Sequence, residues 1–285
     1  MDGIDDYQCR LIEKEHTARP PAPWDVWDLR AYSTWRDEIW ALIADFADAS
    51  VRTEFLASPP GYVVCDDLSW LDNVVYAVHG NEVDSKTILS DRLRERYRAL
   101  RAVHGTRTTS LCSFYQEGLN PLVPALVHDQ AREIFLRGEF SELTEASLQA
   151  AIAAVGSSTR AGLVYFECNE DMLIGLAGHY MLYGGEYLTS IAANLGERQR
   201  YLRVLKASGR PVLFVCDVPL DFIDGRTLQE FAGYALECIF QELLDGPDYL
   251  PDRWRGAGFS IRETLAGSHL IGHYHPVVRR DPLGA

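Results

Sequence analysis

Apolar positions in the first part of the chain mostly recur at the spacing of a helix. Trp35, Ile39 and Ile43 share one face of a helix that we predict over residues 34–49. The other elements predicted there are strands at 62–65 and 74–78 and a helix from Asp84 or Ser85 to about residue 100. We therefore predict a mixed, mainly helical N-terminal region over residues 1–95.

From residue 96 to 285 the pattern changes, and strands become prominent. The predicted strands cover residues 100–106, 161–168 and 210–220, with one or two more within 258–277. The predicted helices cover 109–117, 128–155, 170–195 with a break at Gly184-Gly185, and 225–244. Because strands and helices do not alternate regularly, we predict an α+β domain rather than a doubly wound parallel sheet.

The overall charge argues against nonspecific electrostatic binding of nucleic acid. Acidic residues outnumber basic ones 41 to 27 in a chain of 285 residues, giving a formal net charge of -14. The six cysteines form no Cys-x-x-Cys pair, so we expect reduced thiols rather than a zinc site or a disulfide framework. The first residues carry no apolar signal core, and no apolar run approaches a membrane span. We expect a cytoplasmic protein with no membrane partner.

Two short motifs carry most of the functional signal. The first, His104-Gly105-Thr106, stands at the end of a predicted strand and is followed by Gly118-Leu119. Gly105 allows a ligand close to the backbone, and His104 offers a ring nitrogen to a hydroxyl. The second motif ends the strand over 162–166 with Tyr165-Phe166, an aromatic pair suited to stacking on a flat heterocycle. Sequence motifs of serine hydrolases, P-loop proteins, Rossmann enzymes and zincins are absent.

In this order and separation, the two motifs resemble the ADP-ribosyltransferase superfamily. The likeness is to its His-Tyr-Glu branch, that of diphtheria toxin and the poly(ADP-ribose) polymerases. The segments VHGTRTTSLCSFYQEGL and GLVYFECNEDMLIGLAGHY stand where the family has its strand–helix units, and RPVLFVCDVPL is similar to its next central strand. The resemblance covers roughly residues 100–280.

The resemblance implies a split, antiparallel β-sheet that clamps NAD+ as substrate. His104 would hydrogen-bond a ribose hydroxyl, the Gly105 backbone would meet the carboxamide, and Tyr165 would stack on the nicotinamide ring. The dinucleotide would thus be held between the rings of His104 and Tyr165. Thr106 and Phe166 join them as predicted NAD+ contacts. The guanidinium of Arg107 suits the pyrophosphate. The implied reaction transfers ADP-ribose to a protein or nucleic-acid acceptor and releases nicotinamide.

The catalytic carboxylate departs from the family pattern. Breaking the nicotinamide–ribose bond builds positive charge on the ribose, which a nearby carboxylate stabilises. The family has its Glu at the start of a late strand, where this chain has Ser268 or His269. Glu263, just upstream, and Glu186, beside the paired glycines, are the two substitutes. The departure leaves open an NAD+ glycohydrolase or an inactive module that binds NAD+ or ADP-ribose.

A histidine cluster supports a rival interpretation. His269, His273 and His275 would point to one face of a single strand, because side chains alternate along it. Three imidazoles on one face could hold zinc, which would make the chain a metal-dependent hydrolase. The resemblance implies instead a small bacterial toxin or defence effector, with an antitoxin or immunity protein as a further partner.

Overall fold

The computed structural model describes residues 12–13, 25–137, 140–156, 161–251, 257–276, 281 and 283–284. Most of the polar segment before residue 24 therefore lies outside the described residues. Within them, no helix has both the length and the apolar character needed to span a membrane.

Helices form most of the regular structure. In chain order they are α1 Tyr32–Leu42, α2 Ala49–Ala57, α3 Ser69–His79, α4 Ser85–Arg96, α5 Cys112–Glu117, α6 Pro124–Phe135, α7 Glu145–Val155, α8 His179–Tyr183, α9 Glu186–Ala193, α10 Arg198–Ala207 and α11 Gly225–Asp245. A π-helical turn covers Met172–Leu176, and 3-10 turns cover Leu220–Phe222 and Gly267–His269.

The strands form one sheet, which is mainly antiparallel. They are β1 Ile12–Glu13, β2 Val26–Trp27, β3 Ala99–Thr108, β4 Val164–Glu167, β5 Arg210–Pro219, β6 Gly258–Ile261 and β7 Leu270–Tyr274. Their order across the sheet is β1-β7-β5-β3-β4-β6, and β2 pairs in parallel with the start of β3. This combination of helices and a mainly antiparallel sheet confirms the predicted α+β class.

Most of the predicted elements after residue 84 exist, whereas two predicted strands before it are wrong. Residues 74–78 lie inside α3, because Trp70, Leu71 and Val75 bury one face of that helix. Tertiary packing here outweighs the β-preference of the valines. Residues 62–65 form no strand. The helix predicted over 34–49 ends at Leu42, and Asp48 then caps α2 by accepting from the backbone N–H groups of Ser50 and Val51.

The chain forms two compact units whose bounds differ from the predicted division at residue 95. One contains residues 1–20, 102–217 and 260–285, and the other contains residues 21–101 and 218–259. Residues 218–259 belong with the N-terminal helices because α11 packs against α4 and α1. Both predicted motifs, together with Glu186 and Glu263, lie in the unit that holds residues 102–217.

Two buried clusters hold this unit together. One lies on the sheet and joins Val103 of β3 and Leu213 of β5 to Leu173 and Met181. The other joins the helices α6, α7, α9 and α10 through side chains such as Phe135, Leu148, Ile191 and Leu202. The segment from the π-helical turn to α8 therefore covers one face of the sheet where β3 crosses it.

Gly118 provides a test of how tightly α5 is held. It ends α5 with φ +84°, and a β-carbon there would lie 2.1 Å from the carbonyl oxygen of Leu265. Gly156 has φ +76° but nothing within 4 Å, so it shares the backbone conformation without the contact. We expect Gly156→Ala to lower the free energy of unfolding by about 1 kcal/mol and Gly118→Ala by about 3 kcal/mol or more.

Urea unfolding of the two variants, followed by circular dichroism, measures this difference. Equal losses would mean that the close approach of Leu265 to Gly118 does not hold in solution.

Candidate functional site

The two sequence motifs meet where β3 lies beside β4. The two strands pair at one register position, Val103 with Glu167, and no second pair follows among their described residues. Just beyond it, the Nδ1–H of His104 donates to the carbonyl oxygen of Tyr165 at 2.8 Å. The His104 side chain thus bonds a backbone carbonyl that a longer ladder would have paired with β3. From His104 onward, the described edge of β3 is therefore not paired with β4 through backbone hydrogen bonds.

Strand alternation decides which side chains share a face. Residues directly opposite each other in an antiparallel pair point the same way, so His104 shares its face with Phe166 and Gly105 shares its face with Tyr165. The ring centroids of His104 and Phe166 lie 5.9 Å apart, which agrees with this assignment. The rings of His104 and Tyr165 therefore point to opposite faces of the sheet, and the expected arrangement of a ligand held between these two rings is not present.

The aromatic pair divides between core and surface. Phe166 is 2% exposed and belongs to the core, so its ring offers no open stacking surface. Tyr165 is 46% exposed. Thr106 is partly buried, and alternation puts it on the His104 face. Of the two aromatic residues, only Tyr165 presents a ring to a ligand.

Gly105 has a packing role that the sequence did not indicate. A β-carbon there would lie 3.1 Å from Cγ of Met181 and 3.2 Å from Cδ1 of Leu173. Both side chains are buried, so a larger residue would push against a filled core. The space directly above Gly105 on the Tyr165 face is closed. A ligand would reach this glycine from the strand edge.

A π-helical turn covers this face of the sheet. The backbone N–H of Ala177 donates to the carbonyl oxygen of Met172 at 2.7 Å, one residue further back than in an α-helix. Leu173 of this turn packs into the core, while Leu176 is 49% exposed. Such turns occur frequently at functional sites.

Arg107 does not have the position that pyrophosphate binding requires. Its guanidinium donates to four backbone carbonyls, those of Met181, Lys206, Ser208 and Gly209. Lys206 lies in the last turn of α10, and Ser208 and Gly209 follow this helix. The helix dipole favours a cation at this end. Burial lowers the pKa of this guanidinium below its ordinary value. Arg107 is therefore an internal anchor, because four of its five N–H donors go to backbone carbonyls.

The two predicted carboxylates differ in their surroundings. Glu186 begins α9, and its Oε2 accepts a hydrogen bond from the Tyr180 hydroxyl at 2.9 Å. Tyr180 in turn packs against the cluster that contains Val103 and Met181. Glu263 is exposed between β6 and β7, where it accepts from the backbone N–H of Arg262. Of the two, Glu186 has the more ordered environment.

A third carboxylate, Glu167, was missed by the sequence analysis. Alternation puts it on the same face as Tyr165, two residues away along β4. Its Oε2 is buried and has no hydrogen-bond partner among the residues that the structure describes. Burial raises the pKa of Glu167 to about 7. The only signal in the sequence was an acid directly after the apolar run GLVYF, inside the strand predicted over 161–168.

The three late histidines do not form a metal site. His269 ends a 3-10 turn before β7, and His275 follows the strand, so the three are not on one strand as predicted. The Tyr115 hydroxyl bonds Nδ1 of His273 at 2.6 Å, and Nδ1–H of His275 donates to the carbonyl of Pro211 at 2.7 Å. Across the part of the chain that the structure describes, no three His, Cys, Asp or Glu side chains are grouped to hold a metal ion.

No protein-family model, curated protein or solved structure matches this chain. The likeness to ADP-ribosyltransferases therefore rests on the motifs at 104–106 and 162–166 and on the order of the elements around them.

The pKa of Glu167 predicts a pH-dependent cost in stability. The ordinary value is 4.5, so between about pH 4.5 and 7 the folded chain keeps a proton that the unfolded chain has lost. The free energy of unfolding therefore falls as pH rises through this window. Glutamine resembles the protonated acid, so we expect Glu167→Gln to be more stable than wild type by about 1–2 kcal/mol at pH 8, with little difference at pH 4.

Denaturant unfolding at the two pH values measures this gain. Glu117→Gln is the matched control, because Glu117 is exposed in the same unit and should show no such gain. Parallel pH curves for wild type and Glu167→Gln would contradict the buried, unpaired carboxylate.

Arg107 gives a second prediction. Replacing it with glutamine leaves several partly buried carbonyls without this donor, so we expect the free energy of unfolding to fall by about 1–3 kcal/mol. Arg137, which is 74% exposed in a salt bridge with Glu133, is the control and should cost less than about 0.5 kcal/mol. Urea unfolding measures both. If Arg107→Gln leaves the free energy of unfolding unchanged but weakens NAD+ binding, the result would instead support a phosphate contact.

Proposed function

We propose that this chain is an NAD+-dependent ADP-ribosyltransferase, which moves ADP-ribose from NAD+ to a macromolecular acceptor and releases nicotinamide. The observation that carries the proposal is the junction of β3 and β4. There, the His104 ring is fixed to the Tyr165 carbonyl, and the ladder stops after one pair. This junction supports the split sheet that the resemblance implies.

His104 is suited to hold a ribose hydroxyl. Because its Nδ1 carries the proton donated to Tyr165, the neutral ring has an acceptor at Nε2. Burial lowers the pKa of His104 below its ordinary value, which favours this neutral form. Nε2 has no hydrogen-bond partner among the residues that the structure describes, so it can accept a hydrogen bond from a ribose hydroxyl.

The nicotinamide ring would lie at the unpaired edge of β3. The Gly105 backbone offers hydrogen bonds to the carboxamide there, and the Tyr165 ring lies on the same face, open to stacking. Leu173 and Met181 close the space over Gly105, so we expect the ring beside the strand rather than above it. This arrangement replaces the sandwich between His104 and Tyr165.

The chemistry breaks one bond and forms another at the same ribose carbon. Nicotinamide leaves with the electron pair of its bond to the ribose, which gives an oxocarbenium-like centre. The acceptor nucleophile then bonds to this carbon and loses its proton. A carboxylate near the ribose stabilises the developing charge more than the ground state. Glu186 and Glu263 remain the candidates for this role.

The second candidate function is that of a catalytically inactive module that binds NAD+ or ADP-ribose. Ser268 is exposed and His269 ends a 3-10 turn just before β7, so no acid stands at the usual position of the catalytic Glu. Binding of NAD+ without nicotinamide release under any acceptor would favour this candidate. A toxin or defence role, with an antitoxin or immunity partner, rests on the family likeness.

Nicotinamide release tests the proposed activity. Purified protein is incubated with NAD+ and with protein or nucleic-acid acceptors, and free nicotinamide is measured by chromatography. We expect His104→Ala to lower the rate at least tenfold, because the ribose loses its hydrogen-bond partner. His128→Ala is the control, since His128 is also partly buried and makes one hydrogen bond, to the Tyr187 hydroxyl.

Equal rates for the two variants would contradict the assigned role of His104. Wild-type protein that neither binds NAD+ nor releases nicotinamide would contradict the proposed function as a whole.

A further inference from the structure

The environment of Glu167 is unusual for an acidic residue. Its Oε2 lies out of contact with solvent and accepts no hydrogen bond from the described part of the chain. Burial is the influence that raises its pKa, and no neighbouring cation offsets it. A buried carboxylate without a partner costs free energy, so most proteins pair such a group or avoid it. Nothing in the fold of this unit requires an acid at the end of β4.

Glu167 lies next to residues of the proposed nicotinamide site. It is the direct partner of Val103 in the ladder between β3 and β4, one residue before His104. It shares a face with Tyr165 and with Gly105. Arg107 follows on the same face of β3, but its guanidinium donates to backbone carbonyls and is not among the influences on the pKa of Glu167, which burial alone raises. The carboxylate therefore lacks a cation from the described part of the chain.

A cationic ligand would gain more from this carboxylate than a neutral one would. An opposite charge brought close to a partly buried acid favours the ionised acid and is attracted strongly where water is scarce. The oxidised nicotinamide ring carries a positive charge, whereas the reduced ring is neutral. The two dinucleotides are otherwise nearly the same in shape, so the charge of the ring is the feature that this site can distinguish.

We infer that Glu167 is the counter-ion of the oxidised nicotinamide ring and makes the site selective for NAD+ over NADH. The inference rests on the proposed function, because that function puts the nicotinamide beside Tyr165 and Gly105. It assigns Glu167 to substrate selection, whereas Glu186 and Glu263 remain the candidates for the carboxylate at the ribose.

Titration calorimetry at pH 8 with NAD+ and with NADH tests the inference. We expect wild-type protein to bind NAD+ at least tenfold more tightly than NADH. Glu167→Gln should bind the two equally, with its affinity for NADH changed less than twofold, because only the charge has been removed. Glu117→Gln alters an exposed acid in the same unit and should keep the wild-type preference.

A Glu167→Gln protein that keeps the preference for NAD+ would overturn the inference and leave the proposed function standing. The same holds for wild-type protein that binds NAD+ and NADH equally. Wild-type protein that binds neither dinucleotide would overturn both.

A measurement on wild-type protein alone covers the case in which Glu167→Gln does not fold. Cationic 1-methylnicotinamide and neutral nicotinamide are each used to displace NAD+. We expect the cation to compete at a concentration at least tenfold lower. Equal competition by the two would overturn the inference.

Discussion

The single register pair between Val103 and Glu167 is the constraint on which the rest of the site depends. Had the ladder continued, the backbone of Gly105 would pair with Tyr165, and neither group could meet a ligand. Instead, the His104 ring donates to the Tyr165 carbonyl, which satisfies that acceptor without closing the strands. One hydrogen bond thus holds two motifs together that lie 61 positions apart.

The surrounding fold keeps this short junction from slipping. Leu173 and Met181 fill the space above Gly105, so the π-helical turn and α8 rest on β3 at a fixed position. Arg107 ties the end of the same strand to the carbonyls after α10. Because interiors are closely packed, a shift of β3 against β4 would disturb both contacts together. The edge at Gly105 is therefore held in place by residues that do not themselves face a ligand.

The sequence predicted the elements well where the pattern was long, and less well where side-chain direction mattered. The helix over 225–245 and the strand over 210–219 followed from sustained periodicity or a continuous apolar run. The strand at 74–78 was wrong because the burial of Trp70 and Val75 against neighbouring helices is not visible locally. The opposite directions of His104 and Tyr165 depend on the register of two strands, which no single-strand pattern contains. Arg107 looked like a phosphate ligand because the sequence does not reveal the carbonyls around it.

Glu167 shows why a buried acid is a stronger functional indication in a structure than in a sequence. In the sequence it is one of 41 acidic residues and lies at the end of a strand, where an acid is unremarkable. In the fold its Oε2 is out of contact with water and has no hydrogen-bond partner among the described residues, and its raised pKa weakens the folded state as the pH rises from about 4.5 to 7. Natural proteins keep such unfavourable groups chiefly where a function uses them. Glu167 lowers the stability of the fold and lies beside an exposed aromatic ring and an unpaired strand edge. The binding of a cationic ligand explains this acid better than folding does.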